Sequence, residues 1–585
     1  MNKLGNTPAP SYESRRIVDG EMLVETNLPI TARDGTVLWC NVHRPLSTDQ
    51  GQKVPPIVAF TCYGKDIDIA SEFARYWDLV LKEHPDIMGT SQGKYLVWEA
   101  PDPEYWVARG YAVVVVDARG TGKSPGYFEF FSPIENHDYY DAIEWAGVQS
   151  WSSGKVGTLG VSYLAIKQWG AAALQPPHLA AMIPWEGAFD YYREQKYHGG
   201  IFSNFLTKLI NESQLEVNQH GNAGTSYRDR FTGECSTGPA LPPVVRKGNI
   251  ANIYQLALDH PLDDAFNQER RPNGSRITVP LLSAGNWGGL GLHLRGNVTG
   301  FCEAASKDKW LEMHTDSHFG SAYLEQSLQV QTRFFDHFLR EVDNGFEREP
   351  RLLLTIRDPR GDQRRQEHEW PLSGTQWTPL FLAPGKLQTD APPSSAPIAY
   401  EGLSGEVTLG TDAFAEDTEF TGPLSAVLYV STDASDMDLF LTVRLFDPLG
   451  QEVTFRGAND PCAPVTQGWL RVSHRKMDET KSLPYQPHHT HDEVQPLVPG
   501  QVEKVHVEIW PTSIVVPAGY RLALTVGAKD FERPDAQGLM KGSGIFLHND
   551  PVDRSAEKFG GVNTIHTGKR YPSHLLLPKV PHRAA

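Results

Sequence analysis

Five consecutive apolar residues, Ala112-Val113-Val114-Val115-Val116, lie between Tyr111 and Asp117. So short and continuous a run suits a strand covered on both faces, as the strands of a mostly parallel sheet are. Pro56-Ile57-Val58-Ala59-Phe60 has the same character. Upstream, the segment from Ile30 to Val42 reads as two extended stretches broken by Asp34-Gly35, a dipeptide that signals a hairpin. Segments of helical character, such as Tyr139 to Ala146, alternate with these strands through about residue 190. The alternation predicts an α/β sheet with right-handed crossovers.

The pattern then changes twice. From about 191 to 275 the chain reads as helical pieces and polar loops, for example Ile201 to Leu215, and the sheet pattern resumes at Val279-Pro280-Leu281-Leu282-Ser283-Ala284. A helical insertion between two sheet strands is the simplest reading, and covering an active site is the usual task of such a cap. Helix-like Tyr323 to Arg340 closes this part. Beyond about residue 350 short alternating stretches take over: Ser425 to Ser431, Leu439 to Phe446, Val502 to Ile509 and Tyr520 to Val526. Gly and Pro punctuate them, as strands of a β-sandwich or jelly roll require. The expected division is a catalytic α/β domain at 1–190 and 276–350, a helical cap at 191–275, and a β-sandwich at 351–585. A chain of 585 residues is long enough for two or three such cores.

The net charge of −17 argues against nucleic-acid binding, which needs a basic face. Five scattered cysteines are too few and too far apart for a disulfide framework, so a reducing compartment is the expectation. Met1 to Ser14 show no secretory pattern, and no apolar run approaches the roughly 20 residues that span a bilayer. A cytoplasmic enzyme with a small-molecule substrate is expected, with no membrane or nucleic-acid partner; a homo-oligomer is compatible with all of this.

The strongest local signal is Lys155-Val156-Gly157-Thr158-Leu159-Gly160-Val161-Ser162-Tyr163-Leu164, followed by helix-forming Ala165 to Leu174. A strand, a tight turn bearing Ser and a helix are what a nucleophile elbow requires. The five-residue pattern G-x-S-x-G is incomplete, because Leu164 occupies its last position. On these residues alone an ordinary β–α turn stays open beside the nucleophile.

Several further motifs occur in order. Cys62-Tyr63-Gly64-Lys65-Asp66 follows the first buried run, and Asp117-Ala118-Arg119-Gly120-Thr121-Gly122-Lys123-Ser124 follows the second. Phe334-Phe335-Asp336-His337-Phe338-Leu339 and Gly468-Trp469-Leu470-Arg471-Val472-Ser473-His474-Arg475 come later. With these motifs the chain resembles the family of cocaine esterase, X-Pro dipeptidyl-peptidase, α-amino-acid ester hydrolase and the cephalosporin acylases. That family's elbow is G-x-S-Y-x-G, matched here except that Ala165 replaces the last Gly. The resemblance implies an α/β-hydrolase core with a helical cap and a C-terminal jelly roll, a serine nucleophile, and neither a cofactor nor a metal.

The site residues follow from the resemblance together with chain order. Ser162 is the expected nucleophile. The backbone N–H of Tyr163 would face the oxyanion, and the resemblance assigns the second donor to the hydroxyl of Tyr63. One such donor in a dry site is worth about 3–4 kcal/mol. The base should be a His after the last sheet strands, His314 or His318, and the loop position favours His318. The family's acid, in G-W-x-D, is missing: Asn286-Trp287-Gly288-Gly289 carries Gly at that position. Met182-Ile183-Pro184-Trp185-Glu186 should be the strand after the elbow helix, which makes Glu186 the candidate replacement and Asp190 the second choice. Asp316 lies too close in sequence to His318 to approach its ring well. Pro487-His488-His489-Thr490-His491-Asp492 resembles a metal cluster, but no Cys or distant carboxylate is paired with it. Arg119-Gly120-Thr121-Gly122 fits neither phosphate-binding glycine pattern and reads as a structural loop.

The expected chemistry is hydrolysis of carboxylic esters, or of amides, through an acyl-enzyme. An X-Pro-type dipeptidyl aminopeptidase or an acyltransferase is the alternative. With its usual acid absent, a degraded binding protein on a hydrolase frame is a reading of another class.

Overall fold

The computed structural model describes residues 10–89, 91–207, 214–533 and 547–581. Its first half is organised by one mixed sheet. In chain order the strands are β1 (Arg15–Asp19), β2 (Met22–Thr31), β3 (Val37–Pro45), β4 (Pro56–Thr61), β5 (Ala112–Asp117), β6 (Val156–Val161) and β7 (Leu179–Trp185). A two-strand hairpin, β8 (Tyr197–His198) and β9 (Ile201–Phe202), stands apart from it. The sheet continues with β10 (Leu281–Asn286), β11 (Lys309–His314), β12 (Leu352–Ile356) and β13 (Gln363–Glu367). Its order is β1-β2-β3-β5-β4-β6-β7-β10-β11-β12-β13.

The runs read as doubly covered strands are so: β4, β5, β6 and β10 are buried along their whole length. From β5 to β12 every neighbouring pair is parallel, while the hairpins at both edges are antiparallel. The chain places β5 on one side of β4 and β6 on the other, so the strand order reverses at β4. Ligands bind outside the carboxyl ends of the strands at such a switch point. The sheet is that of an α/β hydrolase, and its carboxyl edge carries every candidate site residue.

Close helix contact shapes this edge. A Cβ on Gly157 would come within 2.7 Å of Leu339, on the helix Glu325–Arg340 that packs behind β6. A Cβ on Gly187 would lie 2.8 Å from the Cβ of Ala165. This accounts for the departure from the family's elbow: a methyl group is accommodated at 165 because its neighbour across the gap, at 187, has none.

Between β7 and β10 the chain forms a turn of π-helix at Tyr192–Lys196, the β8–β9 hairpin and short helices at Pro243–Gly248, Ile253–Asp259 and Ala265–Gln268. The stretch expected to be helical from Ile201 to Leu215 differs at its start, where Ile201 and Phe202 pair as a strand. The reason is Gly199-Gly200, whose positive φ values of 55° and 88° make the tight turn a hairpin needs. A Cβ at Gly199 would also strike the carbonyl oxygen of Trp469 at 2.1 Å, so the hairpin docks by its bare backbone. Helical turns occupy 205–207 and 214–215, and 208–213 lie outside the described residues.

The C-terminal strands form a closed ring. Thr418–Thr432 pairs with Glu503–Val516, and the order continues through Thr466–Arg471, Asp438–Phe446, Arg521–Gly527, Glu406–Gly410, Lys386–Gln388 and Gln376–Ala383. His574–Val580 then joins Gln376–Ala383 back to Thr418–Thr432. Closure removes exposed edges, and the interior is filled by alternate side chains such as Leu424, Leu441, Val507 and Leu524.

The facing pair at 165 and 187 yields a stability prediction. Gly187→Ala should destabilise the protein by about 1–3 kcal/mol, the usual result of overpacking, read as a lower Tm. Adding Ala165→Gly to the same chain should recover part of that loss. Equal Tm values for wild type and Gly187→Ala would show that the two helix-turn atoms do not compete for space.

Candidate active site

Ser162 stands between β6 and the helix Tyr163–Ala173, with φ 58° and ψ −120°. A non-glycine residue held there stores on the order of 1–3 kcal/mol of strain, which the surroundings must over-determine. They do so through Ser162 N to Trp185 O (3.2 Å), and through Ala165 N and Ile166 N to Ser162 O (3.0 and 2.9 Å). A Cβ on Gly160 would lie 2.4 Å from that of Leu164, so the turn requires Gly at that position. As the first helical residue, Tyr163 has an N–H without an intrahelical acceptor. Its own phenol donates to Glu135.

Tyr63 follows β4, one strand over from the elbow. Its phenol makes hydrogen-bonding contacts with the Ser162 side chain and the Glu99 carboxylate, and burial raises its pKa well above the ordinary value. A neutral donor is therefore available at any physiological pH. The loop is fixed from below, since Asp117 accepts the amides of Lys65 (2.7 Å) and Lys123 (2.9 Å). Asn218 reaches back from the inserted segment to the carbonyl of Cys62 at 2.5 Å. The glycine loop after β5 is thus part of this support, as its sequence suggested.

Glu186 directly follows β7, and its N–H bonds Ala284 O at 2.7 Å. Fully buried, it accepts from His318 Nδ1 at 2.7 Å through Oε2. Its Oε1 takes Ser321 Oγ (2.6 Å), His314 Nε2 (2.9 Å) and Asn286 Nδ2 (3.3 Å). Burial alone would raise this carboxyl, but the charge of His318 and the hydrogen bonds from both imidazoles outweigh it and hold it well below the usual range. His318 in turn is pushed up to about 10, because its two carboxylate neighbours outweigh the burial that would lower it. Its second nitrogen, Nε2, lies 3.2 Å from Glu99 Oε1. Both ring nitrogens thus face carboxylate oxygens. Among the described residues no hydrogen bond joins the ring to Ser162.

The other candidates are engaged elsewhere. His314, the last residue of β11, is clamped between Glu186 and Glu312 Oε2 (2.6 Å) and stacks on Trp185, with ring centroids 4.9 Å apart. Asp190 pairs with Arg193 (2.9 Å) and Arg271 (2.8 Å), which hold it ionised despite burial. Asp316 faces His84 at 3.0 Å. His488, His489 and His491 line an inter-domain cavity with Arg193 and Arg295, and burial holds all three imidazoles below their usual range.

Two residues of the site were not singled out from sequence. Glu99 sits in a loop before the short helix Pro103–Val107, and His293 stacks on His318 with centroids 5.1 Å apart and planes inclined by 17°. Neither follows a strand within a motif, so nothing in the linear pattern marks them. The C-terminal domain also takes part. His318 N bonds Ala458 O at 2.9 Å, and Ala458 N bonds Gly288 O at 3.1 Å. A Cβ on Gly288 would meet the Cα of Gly457 at 2.2 Å, so this contact needs glycine.

A strained seryl elbow, a buried His–Glu pair and a phenol beside the serine define a hydrolase of the serine type. Residues 34–320 match the X-Pro dipeptidyl-peptidase (S15 family) model, and 344–576 match the X-Pro dipeptidyl-peptidase C-terminal non-catalytic domain. A CocE/NonD family hydrolase of Staphylococcus aureus superposes with a TM-score of 0.83 at 32% identity, covering 99% of each chain. Cocaine esterase of Rhodococcus sp. is 23% identical over 96% of this chain and 99% of its own length. A putative Xaa-Pro dipeptidyl-peptidase of Bacillus anthracis is 25% identical over 62% of this chain and 59% of its own. The chain belongs to the CocE/NonD family of hydrolases.

The contact at Gly288 carries a kinetic consequence. Gly288→Ala should push the 457–458 loop away and shift His318 with it. A displacement near 1 Å can cost about 10²-fold, so kcat/KM for an ester substrate should fall by roughly that factor. Unchanged kcat/KM in the folded variant would show that the C-terminal domain does not position His318 for activity.

Proposed function

We propose that this hydrolase cleaves carboxylic esters, with Ser162 as nucleophile, His318 as general base and acid, and Glu186 as the acid that orients His318. Tyr63 and the N–H of Tyr163 are the oxyanion donors. The observation that carries the reading is the 2.7 Å contact between Glu186 and His318 Nδ1, made from the strand next to the elbow. It supplies the carboxylate that Gly289 withholds from the family's usual position. A buried acceptor on Nδ1 fixes the tautomer and stabilises the imidazolium formed during reaction.

In the productive arrangement Nε2 takes the Ser162 hydroxyl proton while Oγ attacks the acyl carbon. The charge that develops on the carbonyl oxygen is met by the Tyr63 hydroxyl and the Tyr163 amide. Nε2 then gives its proton to the leaving alcohol, and water repeats the sequence on the acyl-enzyme. Esters are placed first because the esterase-named relative aligns along the whole chain, whereas the peptidase-named one aligns along part of it. Amide or dipeptidyl substrates are the second reading, supported by both family models, and transfer to an alcohol or amine is the third.

The division into a catalytic domain at 1–190 and 276–350, a cap at 191–275 and a β domain at 351–585 belongs to the same proposal. No helix among the described residues is long and apolar enough to cross a membrane. A cytoplasmic location and a small-molecule ester or amide substrate, with no nucleic-acid or membrane partner, complete the reading; a homo-oligomer is compatible with it.

A fluorophosphonate probe should label the wild type and fail to label Ser162→Ala, and p-nitrophenyl esters of short and long acids should be hydrolysed only by the former. Absence of both labelling and hydrolysis in the wild type would favour a binding protein on a hydrolase frame.

A further inference from the structure

Glu99 occupies a position that the proposed triad does not explain. Its φ is 63°, a left-handed conformation that a non-glycine residue adopts only under constraint. The constraint comes from both halves of the reaction centre. Its carbonyl oxygen accepts Val161 N at 3.0 Å, one residue before the nucleophile, and the next carbonyl, Ala100 O, accepts the Tyr323 hydroxyl at 2.9 Å. Trp98 on its other side packs on Phe319, the neighbour of His318, with centroids 5.1 Å apart. The backbone is therefore pinned to aim the carboxyl group between Ser162 and His318. There Oε1 faces His318 Nε2 at 3.2 Å.

An ordinary buried carboxylate is paired on both oxygens, because an unpaired one loses its hydration without compensation. Here Oε1 faces the nitrogen that must receive the nucleophile's proton, while the Tyr63 phenol and Trp98 make the carboxyl group's other contacts. The Nε2 contact is thus in competition with the one catalysis needs. We propose that Glu99 is a further residue of the reaction centre, holding the Nε2 proton of His318 in the substrate-free site and releasing His318 to Ser162 when that proton leaves Nε2. The step is a simple exchange: the Nε2–H bond breaks, an O–H bond forms on Glu99, imidazolium becomes imidazole and carboxylate becomes acid. Net charge is unchanged, and no other reactant is required.

The surrounding groups leave this pair to set the titration of the base. Glu186, from the end of β7, is held ionised. Tyr63 and Cys62, after β4, are raised far from neutrality by burial. His293, in the loop after β10, is kept neutral by burial and by the charge of His318. His314, on β11, is pushed up to about 9 between Glu312 and Glu186, and so stays charged below that. Asp102, at the start of the helix after Glu99, is raised by burial to about 7. Burial likewise raises Glu99, which makes it an apt holder of a proton, while its charge helps to raise His318.

The sign follows. A base whose pKa is raised is protonated and idle at low pH, and the acidic limb of kcat/KM marks where it becomes free. Glu99→Gln removes one of the two charges that raise it and leaves Asp102 and Glu186 in place. The acidic limb of ester hydrolysis should then move to lower pH by at least about one unit. The rate of fluorophosphonate labelling should move with it. A role confined to packing would scale activity without moving the limb, so superimposable limbs, or a shift to higher pH, overturn the inference. If Glu99→Gln does not fold, ring-¹⁵N spectra of histidine-labelled wild type decide. A His318 doubly protonated at pH 7 agrees with the inference, and an unprotonated Nε2 at pH 7 refutes it. The inference rests on the serine-hydrolase reading. A wild type that neither hydrolyses esters nor accepts the probe defeats that reading, whereas an active wild type with an unmoved Glu99→Gln limb defeats this one alone.

Discussion

The carboxylate of Glu186 is the point on which the rest of the site depends. It is an ionised group with no exposed surface, a state that costs several kcal/mol unless charges and hydrogen bonds compensate. Its partners are His318, His314, Ser321 and Asn286, drawn from the loop after β11, from β11 itself and from β10. Removing any of them would leave part of the charge unpaired. The folded chain therefore has a strong electrostatic reason to bring these elements together, and the geometry that stabilises the carboxylate is also the one that orients the His318 ring.

The sheet register shows how two strand ends meet at this site. In the register of the sheet, Ala284 of β10 pairs with Trp185 of β7, so the residues just beyond these strand ends face one region of space. A carboxylate after either strand can reach the same imidazole. With Gly289 at the customary position, the chain there is able to turn closely, since a Cβ would meet Asn286 O at 3.2 Å and Leu294 N at 3.3 Å. Asn286 then donates to the Glu186 carboxylate. The C-terminal ring completes the arrangement by buttressing the His318 loop through Ala458.

Much of this was legible in the linear sequence, and the reasons are specific. Continuous apolar runs identified β4 and β5 because a strand buried on both faces has no polar alternation. Ser162 and Glu186 were singled out because each lies just after a strand, where an α/β sheet exposes its ligand-binding edge, and Tyr63 because the family resemblance places a phenol there. His318 was singled out because chain order in this fold leaves few imidazoles after the last strands and the family resemblance favours the loop position. Glu99 and His293 were not, since loops carry them into the site and no periodicity records where a loop folds back. Ring closure of the β domain was hidden for a related reason. Alternation identifies a strand but not its partner, and His574–Val580 closes the ring on strands far earlier in the chain. The pairing of Ala165 with Gly187 was equally invisible, being a contact between two short turns.

The central claim is that the Glu186 carboxylate orients the imidazole that activates Ser162. The most direct test is kcat for ester hydrolysis by Glu186→Gln, in a variant whose circular dichroism and Tm show that it is folded. An amide in place of the carboxylate favours the wrong tautomer and fails to stabilise the imidazolium, so kcat should fall by about 10³–10⁴-fold. A kcat within a few-fold of wild type would contradict the account, and would mean that His318 is oriented without Glu186.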